Sequence, residues 1–108
     1  MIRRAFTMKL KPGGLAVGGF DAATSTYGAL FYNTTGSYNV AVGTGSLRSN
    51  TTASFNTAVG YLSMRDNTTG SQNTAVGIQS LVFNTSGANN VALGVDALQK
   101  NTTASLIS

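Results

Sequence analysis

Apolar residues alternate over very short stretches of this chain, and each stretch stops at a glycine. Val40-Ala41-Val42-Gly43 returns as Thr57-Ala58-Val59-Gly60, Thr74-Ala75-Val76-Gly77 and Val91-Ala92-Leu93-Gly94. A period of two marks a strand with two distinct faces. The four copies stand seventeen residues apart. Written in that register, the body divides without a gap into 22–38, 39–55, 56–72, 73–89 and 90–106. Ile107 and Ser108 start a sixth unit.

A seventeen-residue unit excludes the common helical repeats, which need about 33 residues or more. It holds two or three short strands joined by tight turns. Stacked units of this kind make a parallel β-solenoid, or β-roll, whose coils pair at about 4.8 Å. The expected fold is therefore all-β, with five coils and two segments: a basic N-terminal strand or cap over 1–21 and the repeat roll over 22–108.

Each position of the unit predicts a place in the cross-section. The fourth (Val42, Val59, Val76, Leu93) and ninth (Leu30, Leu47, Met64, Leu81, Leu98) are expected to face each other as the core. The eighth is always small: Ala29, Ser46, Ser63, Ser80 or Ala97. Gly43, Gly60, Gly77 and Gly94 mark a turn whose backbone side chains forbid. Asn33, Asn50, Asn67, Asn84 and Asn101 recur, each before Thr, at a turn that asparagine favours; stacked, they are expected to form a ladder. A second column, Asn39, Asn56, Asn73 and Asn90, is placed at the opposite corner. The first unit departs from the pattern, with Ala22 for that Asn and Thr26 for the Gly, as terminal capping repeats do.

Such a coil encloses little apolar surface against the cost of ordering seventeen residues. The small apolar column Ala41, Ala58, Ala75 and Ala92, read as facing away from the valines, is the candidate interchain face. The expected partners are further copies of the chain, associated as a symmetric homo-oligomer.

Composition narrows the function. Of 108 residues, 42% are hydrophobic and only 9% charged, with 13 glycines. A soluble domain commonly carries about 25% charge. Asn, Thr, Ser and Gly fill the gap, as stacked turns require. There is no Cys, His, Trp or Glu, and the carboxylates are Asp21, Asp66 and Asp96. No acid–base pair, nucleophile system, metal site or cofactor site is expected, so the chain reads as non-enzymatic. Most of the net charge of +4 belongs to Arg3, Arg4, Lys9 and Lys11. The body lacks the basic stripe of a nucleic-acid binder, and no apolar run is long enough to cross a membrane as a helix. MIRRAFTMKLKPGG lacks the apolar segment of a secretory signal. Either the protein stays inside the cell that makes it, or it is a piece of a longer exported chain.

The unit N-[TV]-A-[VL]-G-x-x-[SA]-L resembles the head repeats of YadA-type trimeric autotransporter adhesins, and N-T-A-x-G…N-T-T-G arrays resemble those of bacteriophage tail fibres. The resemblance spans about residues 22–108, with Leu15-Ala16-Val17-Gly18 as an echo. It implies a left-handed β-roll, three chains packed side by side as a homotrimer in a rigid spike on a cell surface or virion; a glycan or cell-surface receptor is the expected further partner. Residues 1–15 resemble the first strand of the L-rhamnose mutarotase family, whose histidine this chain lacks. Two alternatives stay open: an end-to-end solenoid filament, and a monomeric ice-binding solenoid using Thr34, Thr51, Thr68, Thr85 and Thr102. The Asn-Thr-Thr and Asn-Thr-Ser sequons are read as turn columns. Tyr27, Phe31, Tyr32, Tyr38, Phe55, Tyr61 and Phe83 are read as interchain packing or a sugar-stacking surface.

Overall fold

The structure, a computed structural model, describes residues 8–11, 14–18 and 28–108. Its strands are β1 (Met8–Lys11), β2 (Gly14–Val17), β3 (Val40–Val42), β4 (Thr57–Val59), β5 (Thr74–Val76) and β6 (Val91–Leu93). They form one sheet in chain order. β2 to β6 are parallel; β1 runs antiparallel to β2. Parallel neighbours need a crossover of about a dozen residues or more. From β3 to β6 the rest of each coil supplies it, without a helix. The chain is a parallel β-solenoid. Three complete turns of seventeen residues run from β3 to β6, with Ala41, Ala58, Ala75 and Ala92 in strict register.

β2 joins the same ladder, pairing Leu15 with Val40 and Val17 with Val42, although these lie twenty-five residues apart. The LAVG echo is thus a strand of the roll. Gly18 explains the choice. Its φ is 146°, and a Cβ there would sit 2.6 Å from the Gly43 carbonyl carbon. A strict seventeen-residue register would have asked Thr26 to fill that place. Residues 22–27 of the expected first coil, and the expected boundary at 21/22, lie outside the described residues. So do residues 1–7, 12 and 13 of the mutarotase-like stretch.

The faces of the strands are the reverse of the expectation. Ala16, Ala41, Ala58 and Ala75 are fully buried, and Ala92 nearly so. Val42 and Val59 are half-buried, while Val76 and Leu93 lie on the surface. The expected core column is therefore the outer face of the sheet, and the expected interchain column is the core. A one-residue step exchanges the faces of a strand. What decides it is room: opposite each strand a long side chain already fills the coil, so only a methyl fits from the sheet side.

Those long side chains are the ninth-position residues. Leu30, Leu47, Met64 and Leu81 form one cluster with the alanines, and Leu98 packs against it, partly buried. They enter through left-handed backbone, with φ between 49° and 54°. The cause is a staircase of turns. Ser46 N–H donates to Gly43 O, Arg48 N–H to Gly45 O and Asn50 N–H to Leu47 O, each at 3.1 Å. The N–H groups between them point along the stack instead: Leu47 to Ser63 O and Ser49 to Arg65 O, both 3.0 Å. Alternating backbone handedness satisfies both sets. A left-handed residue other than glycine costs about 1–2 kcal/mol, so inter-coil bonding must offset that strain.

Gly43, Gly60 and Gly77 have φ of 124–132°, and a Cβ on each would lie 2.4–2.7 Å from the next glycine's carbonyl. Gly94 shares the backbone (φ 115°) but faces open space.

Two comparisons in chemical denaturation test this packing. Ala58→Val should cost about 1–3 kcal/mol by overfilling the interior, whereas Val59→Thr, which leaves the interior of the coil unchanged, should cost less than that. Gly60→Ala should cost about 2 kcal/mol or more through the added clash, and Gly94→Ala only about 1 kcal/mol of backbone strain.

Candidate functional site

The asparagine columns come first, because they close every coil. Asn50 Nδ2 donates to Ala53 O (3.0 Å) and to Asn33 Oδ1 in the preceding coil (2.9 Å). Asn67, Asn84 and Asn101 repeat both bonds. Asn33 Nδ2 donates to Gly36 O at 3.0 Å. The expected ladder is therefore formed, and it is buried along Asn33, Asn50, Asn67 and Asn84.

The second column lies beside the first, not at the opposite corner. Asn39 Nδ2 donates to Ala53 O at 2.9 Å, the carbonyl that Asn50 also uses. Gly70 O takes Asn56 and Asn67, Gly87 O takes Asn73 and Asn84, and Ala104 O takes Asn90 and Asn101. Only six residues separate Asn50 from Asn56, so the turn brings the two columns together. The Oδ1 atoms of Asn39, Asn56, Asn73 and Asn90 accept the backbone N–H that starts the next coil, each at 2.9 Å. With these amides committed, the sequons serve as turn columns.

Threonine and serine continue the pattern. Thr51 O accepts the N–H groups of Thr34, Thr35 and Gly36 (3.0, 3.1 and 3.2 Å) and the Thr34 hydroxyl (3.0 Å). Three successive N–H groups around one oxygen make a nest. Thr85 O and Thr102 O are held in the same way. The hydroxyls of Thr34, Thr51, Thr68 and Thr85 thus donate along the stack. An ice-matching row would need them turned outward. Inside the coil, Ser46 and Ser63 donate to Ala58 O and Ala75 O across the interior, each at 3.1 Å.

What the repeat leaves uncommitted lies on two surfaces. One is the outer sheet face: Val40, Val42, Thr57, Val59, Thr74, Val76, Val91 and Leu93, continued by exposed Ile78 and Val95. The other is the flank at the tenth and eleventh positions. There Arg65 makes two bonds to Asp66, Nε to Oδ1 at 2.8 Å and Nη2 to Oδ2 at 3.0 Å. Its guanidinium sits over the Phe83 ring, 5.5 Å from the centroid. The hydrogen bond to Asp66 raises the Arg65 pKa, against a smaller opposing effect of burial. Arg48 Nη2 approaches Asp66 Oδ1 at 4.0 Å. On this flank Phe31 and Tyr32 meet edge to face at 4.9 Å; apart from it, at the seventeenth position, Tyr38 stacks on Phe55 at 5.1 Å. Sequence reasoning missed the Arg48–Arg65–Asp66 group, although Arg48 and Arg65 share one repeat position.

No family model matches the chain, and neither the curated proteins nor the solved structures yield a relative. The structure and its chemistry carry the functional reading.

Asn67→Asp tests the amide ladder. It would leave a carboxylate facing two acceptors, Asn50 Oδ1 and Gly70 O, and should cost about 3 kcal/mol at neutral pH. The folded carboxyl pKa would be raised, so the folded state holds its proton longer. Stability should then fall as pH rises above about 3.9, the unfolded value, and level off beyond the folded pKa. Thermal melts across pH 3–8 would read this; a flat profile would show that the ladder tolerates the charge.

Proposed function

We propose that this chain is a non-enzymatic structural and adhesive protein: a β-roll segment of a surface spike or virion fibre that mediates attachment. Its coils associate side by side through the outer face of the sheet, as a homotrimer. The observation that carries this reading is the row Val40, Val42, Val59, Val76, Val91 and Leu93, an apolar column repeated coil after coil on the outside of the sheet. A contiguous apolar surface of this kind marks an interaction site. Three equivalent faces turned inward would bury it, and a closed symmetric assembly limits growth. The interior of one coil, narrowed to alanine, serine and one long side chain, gives a reason for association.

The resemblance to YadA-type head repeats and tail-fibre arrays supports the trimer and the attachment role. The corrected strand faces change which residues would meet: the Val and Thr columns in place of the Ala column. The absence of His, Cys and Glu supports the non-enzymatic reading. The surfaces left for a receptor are the sixth, tenth, eleventh and seventeenth positions, which vary from coil to coil.

Light scattering on a gel-filtration column tests the assembly. The expected mass is three times 11.1 kDa. Val76→Lys, which places a charge in the middle of the outer face, should shift the mass to one chain while leaving the far-ultraviolet spectrum unchanged. A wild-type monomer would overturn the trimer, and wild-type material in the void volume would replace it with an end-to-end filament.

A further inference from the structure

The arginine flank has a chemistry that the fold does not require. In the other coils, the tenth and eleventh positions hold Phe31 and Tyr32, Val82 and Phe83, or Gln99 and Lys100. Solenoid closure therefore places no demand for charge here. Yet two guanidinium groups and a carboxylate stand on neighbouring coils, with aromatic rings at both ends. Phe31, Arg48 and Arg65 occupy one position of three consecutive coils, and the Tyr32 N–H donates to Arg48 O at 3.1 Å, which fixes their register. Phe83 closes the far end beneath Arg65.

The two arginines are not equivalent. Arg65 is pinned by Asp66 and by the ring below it. Arg48 is not: its contact with Asp66, at 4.0 Å, exceeds hydrogen-bond length, and its Nε is buried with no partner. Buried polar groups are nearly always satisfied, so an unsatisfied one calls for an explanation. Arg48 is a cation about 29% exposed, and its Nε lacks an acceptor. Asp66 is about 30% exposed and keeps further lone pairs for hydroxyl donors.

We propose that this flank binds the carboxylated sugar units of an acidic polysaccharide. Arg48 takes the carboxylate, Asp66 accepts sugar hydroxyls, and the half-exposed rings of Phe31, Tyr32 and Phe83 give the pyranose faces an apolar surface. The charge count selects this class. Arg48 and Arg65 against Asp66 leave one net positive charge, enough for one carboxylate at a time. Nucleic acids need many cations in a row, and this flank offers two, one of them already paired with Asp66. A planar guanidinium fork suits a carboxylate, and aromatic faces suit the amphipathic sugar ring. From Phe31 to Phe83 the flank spans three coil spacings, about 14 Å, room for an oligosaccharide. The proposal rests on the attachment reading and supplies its ligand class.

Calorimetric titration of the intact chain with tetragalacturonate, galactotetraose and a tetra-aspartate peptide tests it. The expected result is binding of tetragalacturonate, with at least tenfold weaker binding of the other two. Arg48→Gln should weaken galacturonide binding tenfold or more, and Phe83→Leu severalfold, with unchanged melting profiles. Lys100, on the last coil, stands outside the group, and Lys100→Gln should leave the affinity unchanged. Equal binding of the peptide, indifference to Arg48→Gln, or no binding at millimolar galacturonide would overturn the assignment. Co-sedimentation with intact bacterial cells separates the two readings. Cell binding without galacturonide binding would overturn this site alone, and loss of both would overturn the attachment role with it.

Discussion

Every described coil from Asn39 onward is closed by two side-chain amides that meet on one main-chain carbonyl. Ala53, Gly70, Gly87 and Ala104 provide that oxygen in turn. Each amide also reaches a neighbouring coil, one as donor through its ladder and the other as acceptor of the N–H that starts the next coil. Closing a coil and joining it to the next are therefore one set of bonds. Neither half stands alone, because an amide buried without its neighbour would be left unsatisfied, at a cost of about 1–3 kcal/mol. This coupling makes the stack cooperative in spite of its thin core.

The thin core follows from the same geometry. A coil that brings its turn asparagines against its strand leaves space for one long side chain and one methyl. The left-handed backbone at Leu30, Leu47, Met64, Leu81 and Leu98 points that side chain inward. The remainder of the interior is polar but bonded, as the serine hydroxyls show. Hydrogen bonds thus do here much of the specifying that apolar packing does in a larger domain. The β-branched residues of strands β3 to β6, which a two-sheet sandwich would bury, are turned outward.

Much of this was legible in the sequence. The period gave the fold class, the first asparagine column gave a ladder, and the glycines gave a special backbone. The legible features share a property: each depends on a residue type that has few other reasons to recur. The strand faces were misread because Val-Ala-Val is symmetric under a one-residue step, and hydrophobicity alone favours burying valine. Deciding between the faces needs the width of the coil, which comes from Leu47 entering on a left-handed turn, and leucine carries no signal for that. The two asparagine columns were set at opposite corners because eleven residues separate Asn39 from Asn50, while the shorter path from Asn50 to Asn56 passes through the turn. The pairing of Gly14–Val17 with β3 broke the arithmetic of the period, although the Gly18 signature was there to be read. The arginine flank carries a weaker signal, because its tenth position holds Arg in two coils but Phe31, Val82 and Gln99 in the others.

The strict register of β3 to β6 has a consequence for how such a molecule changes over generations. Removing or copying seventeen residues, from any starting point within the turns, regenerates every column and every amide contact. Removing one residue shifts them all. Length is therefore inherited in whole steps, each adding about 4.8 Å to the rod. The structure behaves as a ruler with identical divisions, on which a single division can be inscribed without disturbing the scale.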